Sequence, residues 1–519
     1  MKKIVYGLMI IVAAVSFQGC DDQLELGPID YYGSGNFWNN KAQVESYMVG
    51  IHQDLRSMYQ MFYYLGEARG GTLRLGTSSM GTSMDNEAPI KANTFTASST
   101  GISNWYGIYG KLLQVNHFIQ SVEEGCDFLT ADEKGYYLGQ AYGIRALYYF
   151  MLYRTYGGVP LELTVKVLGG TIQADQLYLA RSTAEETLTQ IKADINRSES
   201  SFGSATTVKS KYMWSPFATA MLKTQIYMWS AKVTTADHTA TGKTDLQTAK
   251  TSLQKVMGGG YSLLSDFSKI FTQEANNEVI FALYFEREEA TNWGHNFLYQ
   301  PNDLLASATD LNGNPFTSDP LNLVTGGVMR HEYKESLVKS FESGDTRRGG
   351  TFFEYIRAVH GAAMKKLIGN YSASLGTRAY DSDIIIFRYA DAILMMAEIE
   401  NGLDGDPTAY VNQIRQRAYG SSYPVFVKGS FAENEKAILK ERDKEFVNEG
   451  SRWFDLIRMQ DAAKKSLVFS ADANYPDTWG GTPEPVLTTS EAYMILWPID
   501  VNVLNGDPLI EQNPGYGQK

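Results

Sequence analysis

Three glutamates spaced four residues apart in the stretch ERDKEFVNEGSRWFD are the first candidates for chemistry: Glu441, Glu445 and Glu449. This spacing places side chains on one face of a helix, and two carboxylates about 5–10 Å apart can perform glycoside hydrolysis. Four basic residues stand beside them: Arg442, Lys444, Arg452 and Arg458. A general acid needs a raised pKa, whereas a neighbouring arginine lowers the pKa of a carboxyl group. We therefore predict ion pairs and no catalytic residue here, with Trp453 and Phe454 packed in the core.

The histidines and acidic loops do not predict a metal site. The six histidines are dispersed and form no HExxH pair. Asp310, Asn312 and Asn314 resemble the start of a calcium-binding loop. However, Pro315 stands where that loop needs glycine, and Leu321 stands where it needs glutamate. We interpret this stretch as a turn, and we expect neither a metal nor a cofactor.

Aromatic and amide side chains in polar, glycine-rich stretches are the better candidates, and the chemistry that they suit is recognition of sugars. Sugar C–H faces pack on aromatic rings, and sugar hydroxyls need amide, carboxylate or arginine partners. Two stretches fit, residues 66–105 and residues 291–303. The candidates in the first stretch are Arg74, Asp85, Asn86 and Trp105. The candidates in the second stretch, TNWGHNFLYQPND, are Trp293, His295, Asn296, Tyr299 and Asn302.

For the two tryptophans of these stretches, the alternatives to ligand contact differ. Trp105 opens an amphipathic helix, so a position in the core is the alternative to ligand contact. Trp293 stands among polar residues without a helical stripe of apolar residues. We therefore choose Trp293 as the principal platform, and we expect its replacement by alanine to weaken binding.

Charge and hydropathy narrow the class of partner. The chain has 519 residues and a net charge of −12, which argues against nucleic acid, because phosphate binding needs basic surfaces. Hydrophobic residues make up 44% of the chain, as in ordinary globular proteins. Beyond the N-terminus, no apolar run is long enough for a membrane-spanning helix. The length allows a large core or two or three domains.

The N-terminus, MKKIVYGLMIIVAAVSFQGCDD, predicts export and a lipid anchor. Two lysines precede an apolar run at residues 4–17, which is shorter than the roughly 20 residues that a membrane-spanning helix needs. Gly19 and Cys20 end the run in a sequence that resembles the bacterial lipobox. We expect residues 1–19 to be a signal peptide, Cys20 to carry acyl chains, and residues 20–36 to be a tether. The alternative is an exported soluble protein with an incidental cysteine.

The elements that must position these side chains are mostly helices. Apolar residues recur every three or four positions in six windows: residues 37–59, 105–122, 130–156, 182–195, 216–232 and 245–256. The third window opens with a capping box, Thr130 with Glu133, and ends at two glycines. Paired helices of this kind are typical of tetratricopeptide-like hairpins, although no clean 34-residue repeat is present.

The remainder of the chain divides into a loop-rich part and a second helical part. Residues 261–382 are rich in Gly, Asn, Asp and Pro and contain short apolar runs, such as residues 279–283, which predicts loops with short strands. Helical periodicity returns at residues 383–400, 407–417 and 431–450, and residues 497–516 read as loop. We predict a mainly α-helical protein with three parts: an N-terminal helical part at residues 37–260, a loop-rich insertion at 261–382, and a C-terminal helical part at 383–519.

Five stretches resemble the SusD/RagB family of outer-membrane lipoproteins, and they run along the whole chain. They are GQAYGIRALYYFMLYRTYGGVPL, YSLLSDFSKIFTQEANNEVIFALYF, FRYADAILMMAEIENG, ERDKEFVNEGSRWFDLIRM and PIDVNVLNGDPLIEQNPGY. The resemblance implies a SusD-like fold, in which tetratricopeptide-type helical hairpins cradle an irregular, substrate-facing part with short strands. It implies a ligand surface built from the loops after the first helix and from the irregular central part. It also implies a cell-surface lid over a SusC-like TonB-dependent transporter.

We therefore expect a non-catalytic surface lipoprotein of the outer membrane that binds oligosaccharide or polysaccharide and delivers it to its transporter. Three alternatives remain open. The first is a peptide-binding lid of the RagB type, which would rely more on backbone-pairing edges. The second is a surface glycoside hydrolase, and the third is a structural lipoprotein without a ligand.

Overall fold

The structure is a computed structural model that describes residues 37–102, 104–166, 173–324 and 326–517. Most of the regular structure in these residues is α-helix, and the strands are short and form two-stranded sheets. The predicted mainly α-helical fold is therefore confirmed. The predicted signal peptide, the tether and Cys20 lie outside the described residues, as does the side chain of Asn86.

The part before residue 260 consists of helices whose ends follow local sequence signals. They are α1 (Lys41–Ser57), α2 (Tyr59–Tyr63), α3 (Ala88–Lys91), α4 (Ile108–Gly125), α5 (Ala131–Tyr156), α6 (Ala184–Phe202), α7 (Pro216–Lys232) and α8 (Lys243–Met257). Thr130 and Thr183 close capping boxes at the starts of α5 and α6, which confirms the predicted box at Thr130. Helices α5 and α6 pack on each other, as do α7 and α8, so neighbouring helices bury one another's apolar faces.

In the described residues of the central part, short strands form antiparallel pairs. The pairs are β1 (Val279–Leu283) with β6 (Ile384–Arg388), β2 (Phe352–Ile356) with β3 (His360–Met364), and β4 (Asn370–Ser372) with β5 (Thr377–Ala379). Three short helices lie between β1 and β2, namely α9 (Pro301–Ser307), α10 (Glu335–Lys339) and α11 (Thr346–Thr351). The predicted strand at residues 279–283 is confirmed, and the rest of this part is largely loop.

The prediction of a helix over residues 383–400 is wrong in its first part. Residues 384–388, with the sequence IIIFR, form β6, and the helix begins only at Tyr389. β-Branched side chains favour extended backbone, and β1, far earlier in the chain, supplies the pairing strand, with Phe281 opposite Phe387. Periodicity along the chain contains no information about such a distant partner.

The C-terminal part is again helical. Its helices are α12 (Tyr389–Gly402), α13 (Thr408–Tyr419), α14 (Phe431–Glu445), α15 (Arg452–Arg458) and α16 (Val501–Gly506). The helix predicted at 431–450 ends at Glu445. It cannot continue to residue 450, because Asn448 and Gly450 adopt left-handed backbone angles, with φ of 64° and 71°. The expected loop at 497–516 contains the short helix α16.

One large cluster of buried apolar side chains connects the first and last helices of the described chain. It includes Val44 of α1, Phe150 of α5, Trp453 of α15 and Leu504 of α16. The helices on both sides of the loop-rich part therefore share a core. Within the described ranges, no helix combines the length and the apolar character that crossing a bilayer requires.

A π-helix at Tyr64–Ala68 lies where the chain leaves α2. Gly66 lies within it because the backbone after α14 comes very close. A Cβ atom at Gly66 would stand 1.8 Å from the carbonyl oxygen of Gly450. Only glycine permits this contact, which joins the N-terminal and C-terminal helical parts.

Glu67 is buried beside this contact. Its Oε1 accepts hydrogen bonds from the hydroxyl of Tyr333 and from the backbone N–H of Asn448, each at 3.1 Å. Its Oε2 has no partner among the described residues. Burial raises the pKa of Glu67 from 4.5 to about 7. A protonated carboxyl group therefore suits this position better than a carboxylate.

Glu67 should make the stability of the protein depend on pH. Because the folded pKa is raised, the folded state retains a proton that the unfolded chain releases between pH 4.5 and about 7. The free energy of unfolding should therefore fall as the pH rises through this window, by up to about 3 kcal/mol at about 1.4 kcal/mol per pKa unit. Glu67→Gln should lose less stability than the wild type between about pH 5 and about pH 8 in urea unfolding. An equal loss in both proteins would contradict the assignment.

Candidate functional site

The glutamates of the ERDKEFVNEG stretch lie in a buried network of ion pairs. Glu445 is fully buried and contacts Arg347 at 3.2 Å, Arg388 at 2.6 Å, and Arg417. Although burial favours the neutral acid, Arg417, Arg388 and Arg347 together hold the pKa of Glu445 well below its ordinary value. Arg388 also bonds Glu449 at 2.6 Å. Glu445 is thus ion-paired, as expected, although not with the predicted partners, and it stays ionised instead of acting as a general acid.

The partners of these acids differ from those that the sequence suggested. The neighbouring basic residues bond elsewhere: Arg442 to Asp391 and Asp455, Lys444 to Glu342, Arg452 to Asp443, and Arg458 to Glu398. The true partners of Glu445 come from α11, β6 and α13, because adjacent side chains on a helix point in different directions. Trp453 and Phe454 are buried, which confirms their predicted place in the core.

Trp293 and Tyr299, two predicted ring platforms, are buried. Trp293 is 6% exposed, and the rings of Tyr63 and His331 pack against it at centroid distances of 5.2 and 5.1 Å. Tyr299 is fully buried, and its hydroxyl donates to Asp319 at 2.7 Å. The expectation that these two rings face a surface ligand is therefore wrong. Segments distant in sequence cover their apolar area, as the hydrophobic effect favours.

Trp105 is half-buried where the chain enters α4. Its φ of 55° is a left-handed conformation that residues other than glycine rarely adopt. Its ring packs edge-on against Tyr156 at 4.8 Å and Tyr109 at 5.7 Å. These two contacts cover part of the ring, as expected for a position in the core. Ligand contact through the exposed part of the ring stays a prediction.

The two predicted loop stretches meet around the extended segment 327–334. The backbone N–H of Arg74 donates to the carbonyl oxygen of Glu332 at 2.9 Å, and its guanidinium pairs with the Glu332 carboxylate at 3.1 Å. From the second stretch, the carbonyl oxygen of Asn296 accepts the backbone N–H of Arg330 at 2.8 Å. We call the surface formed here the loop face; its residues are Arg74, Asp85, His295, Asn296 and Arg330.

Lys91 fixes the Asp85 side of the loop face. Its ammonium group donates to the carbonyl oxygens of Met84 at 3.0 Å and of Arg330 at 3.2 Å. Asp85, next to Met84, is therefore held near Arg330 with its side chain exposed. Asn302 is also exposed, in the first turn of α9.

His295 and Arg330, like the exposed Asp85, are hydrogen-bonding groups of the loop face that remain open to a ligand. Arg330 is exposed and forms no ion pair with another described residue. The half-buried ring of His295 lies 5.6 Å from the ring of Tyr380. Burial, together with the charge of Arg330, lowers the pKa of His295 below its ordinary 6.5, so its imidazole is neutral at physiological pH.

The stretch around Asp310 forms a turn, as predicted. Its Oδ1 accepts the backbone N–H groups of Asn312 and Asn314, each at 2.8 Å, and its Oδ2 accepts the side-chain amide of Asn314 at 3.0 Å. The turn itself thus uses the carboxylate. In the described part of the chain, no three His, Cys, Asp or Glu side chains are grouped so as to hold a metal ion.

A groove of about 770 Å³ lies between α10, α14 and the loop at residues 472–480. Ligand-binding pockets in proteins measure about 300–1,000 Å³, so the groove has the size of a ligand site. We call it the Trp479 groove; the lining residues used below are Ser336, Lys436, Lys440, Asp472, Tyr475 and Trp479.

Trp479 is the exposed ring of this groove. Of the eight tryptophans, all in the described part of the chain, Trp479 alone has more than half of its surface exposed, at 56%. The chain just before Trp479 is held at two points: Lys334 pairs with Asp477 at 2.9 Å, and the Tyr475 hydroxyl donates to Asp443 at 3.0 Å. The exposed indole is therefore positioned before any ligand arrives.

The charged side chains of the Trp479 groove are mostly paired with one another. Lys436 bonds Asp472 at 3.0 Å, and Arg415 bonds Glu441 at 2.8 Å. Lys440 is exposed and has no ion-pair partner among the described residues. Glu433, which also lines the groove, has no ion-pair partner among the described residues either, and its carboxylate bonds Ser430 at the start of α14. A groove with an open indole and these hydrogen-bonding groups suits a ligand rich in hydroxyl groups.

The sequence interpretation missed Trp479, although the signal was present. It stands in DTWGGTPEP, a polar stretch rich in Gly and Pro, which is the context that favoured Trp293. The two tryptophans cannot be told apart by local composition. The structure separates them because aromatic residues of α2 and of the segment 327–334 cover Trp293, whereas the loop of Trp479 lies at the surface.

Comparison with protein-family models gives two matches to this chain. Residues 351–516 match the SusD family, and residues 31–228 match the family described as starch-binding and associating with the outer membrane. The second segment ends before the loop-rich central part, and the first begins within it.

Individual proteins are similar over nearly the whole chain. A SusD superfamily protein from Bacteroides fragilis is 36% identical, with 93% of this chain and 100% of that chain covered and a TM-score of 0.84. SusD-like protein P38 of Formosa agariphila is 26% identical over 99% of both chains. The starch-binding protein SusD of Bacteroides thetaiotaomicron is 22% identical, again over 99% of both chains.

Proposed function

The chain belongs to the SusD family, whose members are non-catalytic binding proteins, and from this premise we propose that it captures an oligosaccharide or polysaccharide at the cell surface. The family is associated with the outer membrane. The similarity over nearly the full length to SusD proteins, one of them a starch-binding protein, carries the proposal. Binding without bond cleavage also fits the buried, ion-paired state of Glu445.

We propose the Trp479 groove as the principal glycan contact. The indole of Trp479 stacks on the apolar face of a sugar ring, and the rim hydrogen-bonds its hydroxyls through Lys440 and through the Lys436–Asp472 pair. The loop face is the second proposed contact, since Arg330, His295 and Asp85 are open there. The fixed loop of Trp479 supports the choice of the groove, because a positioned ring loses little conformational entropy on binding.

Delivery of the ligand is a further part of the proposal. We propose that Cys20 carries the acyl chains that hold the protein on the outer membrane, and that two or more chains make this attachment stable. A SusC-like TonB-dependent transporter is the proposed receiver of the glycan. No cofactor takes part in this function.

A combined glycan and peptide array on the chain from residue 21 onward tests the proposal. We expect saturable binding of one or a few related glycans, and no new reducing ends after incubation with them. Binding of peptides alone would favour the RagB-type alternative, in which extended peptides pair with exposed strand edges. New reducing ends would identify a hydrolase, and an array without any hit would contradict ligand binding altogether.

A further inference from the structure

A cavity of about 110 Å³ lies inside the protein, where α5, α7, β6 and α15 meet. About 10–15 Å³ of such space holds one water molecule, so the cavity has room for a small organic molecule. Its wall combines aromatic rings, among them Phe150, Trp229, Trp293 and Phe454, with charged side chains. Trp293 is therefore part of a concave surface after all, although an internal one.

The cavity has a side toward solvent. Phe271, Asp383 and Ile385 line it and also line a small neighbouring cleft. That cleft is bordered by Gln273 and Glu274, both of which are exposed. Phe271, Asp383 and Ile385 therefore separate the cavity from a cleft that reaches the surface, and this is the side from which a small molecule would enter.

Arg154 lines the cavity and is a cation without an anionic partner among the residues that the structure describes. Its Cζ lies 3.6 Å from the ring centroid of Phe454 and 4.2 Å from that of Phe150. Its Nε is buried and has no hydrogen-bond partner in the described residues. The carboxylate of Asp455 is also on the wall, but Arg442 and Arg458 bond it at 2.7 and 2.8 Å.

A second donor on the same wall is also without a partner. The buried indole Nε1 of Trp229 makes no hydrogen bond with any described residue, and its ring centroid lies 5.9 Å from Cζ of Arg154. Two features stabilise the positive charge of Arg154. Its guanidinium stacks on aromatic rings, and it lies in the last turn of α5, where the helix dipole favours a cation. They do not account for its free Nε–H or for the free indole N–H, and buried donors without acceptors are unfavourable.

The acidic residues of the wall do not act as acceptors for these donors, because they already bond other groups. Asp391 bonds Arg442 at 2.7 Å, and Glu449 bonds Arg388 and Lys366, each at 2.6 Å. Asp383 accepts the hydroxyl of Tyr212 at 2.9 Å. The end of the cavity at Arg154 thus offers donors and a positive charge, and the group that complements it is an oxyanion.

We propose that this cavity binds a small molecule that bears a carboxylate, with its oxyanion on the guanidinium of Arg154 and its body against the aromatic rings of the wall. The site is separate from the Trp479 groove and does not depend on glycan capture there. The carboxylate can belong to a free organic acid or to an acidic sugar, since both present the same group.

Calorimetric titration of the full-length chain with benzoate and benzamide tests the proposal, because these probes differ in charge but little in shape. We expect benzoate to bind at least about tenfold more tightly than benzamide, as a charge-assisted hydrogen bond is much stronger than a neutral one. Glucuronate and glucose form the corresponding sugar pair. Preference for glucuronate would identify acidic sugars as the source, and preference for benzoate alone would identify free acids.

Variants of Arg154 and Trp229 test where the oxyanion lies. Arg154→Gln should weaken binding of the preferred acid about tenfold or more and abolish the preference over its neutral partner. Trp229→Phe keeps a ring but removes the covered indole N–H, so it should change the affinity by less than about threefold and leave the preference for the acid intact. Arg154→Lys, which keeps the charge and should keep part of the preference, serves if Arg154→Gln does not fold. Arg197→Gln, at a cation whose side chain is 57% exposed, is the matched control.

Three results would overturn the proposal. The first is the absence of binding by both acids. The second is equal binding of each acid and its neutral partner. The third is a loss of affinity in Arg197→Gln as large as that in Arg154→Gln.

Discussion

Trp479→Ala is expected to weaken binding of the strongest glycan about thirtyfold. A sugar that covers one face of a tryptophan buries about half of its 150–250 Å². At about 25 cal/mol per Å² this contact contributes about 2 kcal/mol, and about 1.4 kcal/mol corresponds to a factor of ten in affinity. Because Trp479 is 56% exposed, its loss should leave the free energy of unfolding nearly unchanged. Titration calorimetry with the array hit measures the first effect, and urea unfolding measures the second.

Three variants give the Trp479 experiment its controls. Trp479→Phe keeps a ring and should restore most of the affinity. Phe128→Ala removes an exposed ring, 42% accessible, outside the groove and should have no effect. Arg330→Ala tests the loop face. If Arg330→Ala weakens binding strongly while Trp479→Ala does not, the glycan lies on the loop face and the assignment to the groove is wrong.

Glu445→Gln is expected to lower the free energy of unfolding by about 3–5 kcal/mol, the cost of breaking a buried ion pair by removing one partner. Glu445 is fully buried against Arg347, Arg388 and Arg417. Glutamine has nearly the same shape but no charge, so these arginines would lose their shared counter-ion. Chemical unfolding of the two proteins measures the difference.

Asp404→Asn is the matched control for Glu445→Gln. Asp404 pairs with Lys243 at the surface, where their side chains are 77% and 63% exposed. Removal of an exposed pair should change stability by no more than about 1 kcal/mol. If both variants lose the same small amount, the Glu445 network does not hold the folded state together as we infer. Because the pKa of Glu445 is depressed, its contribution should be present above the unfolded pKa and disappear as the pH falls through the folded pKa.

Local signals in the sequence were sufficient for most of the helical framework. The capping box at Thr130, the apolar periodicity and the two following glycines predicted α5 almost to the residue. The turn at Asp310 was predictable for the same reason, since its hydrogen bonds join residues within four positions of each other. Where the deciding interaction is distant, prediction failed: residues 384–388 form a strand because β1 is available to pair with it.

For the candidate binding residues, too, distant segments decided what local sequence could not predict. Trp293 and Trp479 stand in similar polar loops, yet one is 6% exposed and the other 56%. The arginines around Glu445 were sought beside it in sequence, whereas they come from three other elements. The free donors of Arg154 and Trp229 lie on different helices, so no motif marks the cavity that they share.

The sequence by itself determined the helical class and the resemblance to a family of surface binding proteins. These conclusions rest on short-range hydrogen bonding, apolar periodicity and charge, all of which are properties of neighbouring residues. The tertiary structure alone decided which tryptophan meets solvent, which arginine pairs with which acid, and where an unpaired cation faces a cavity. Burial and ion pairing are set by the segments that pack around a side chain, and those segments lie far away along the chain.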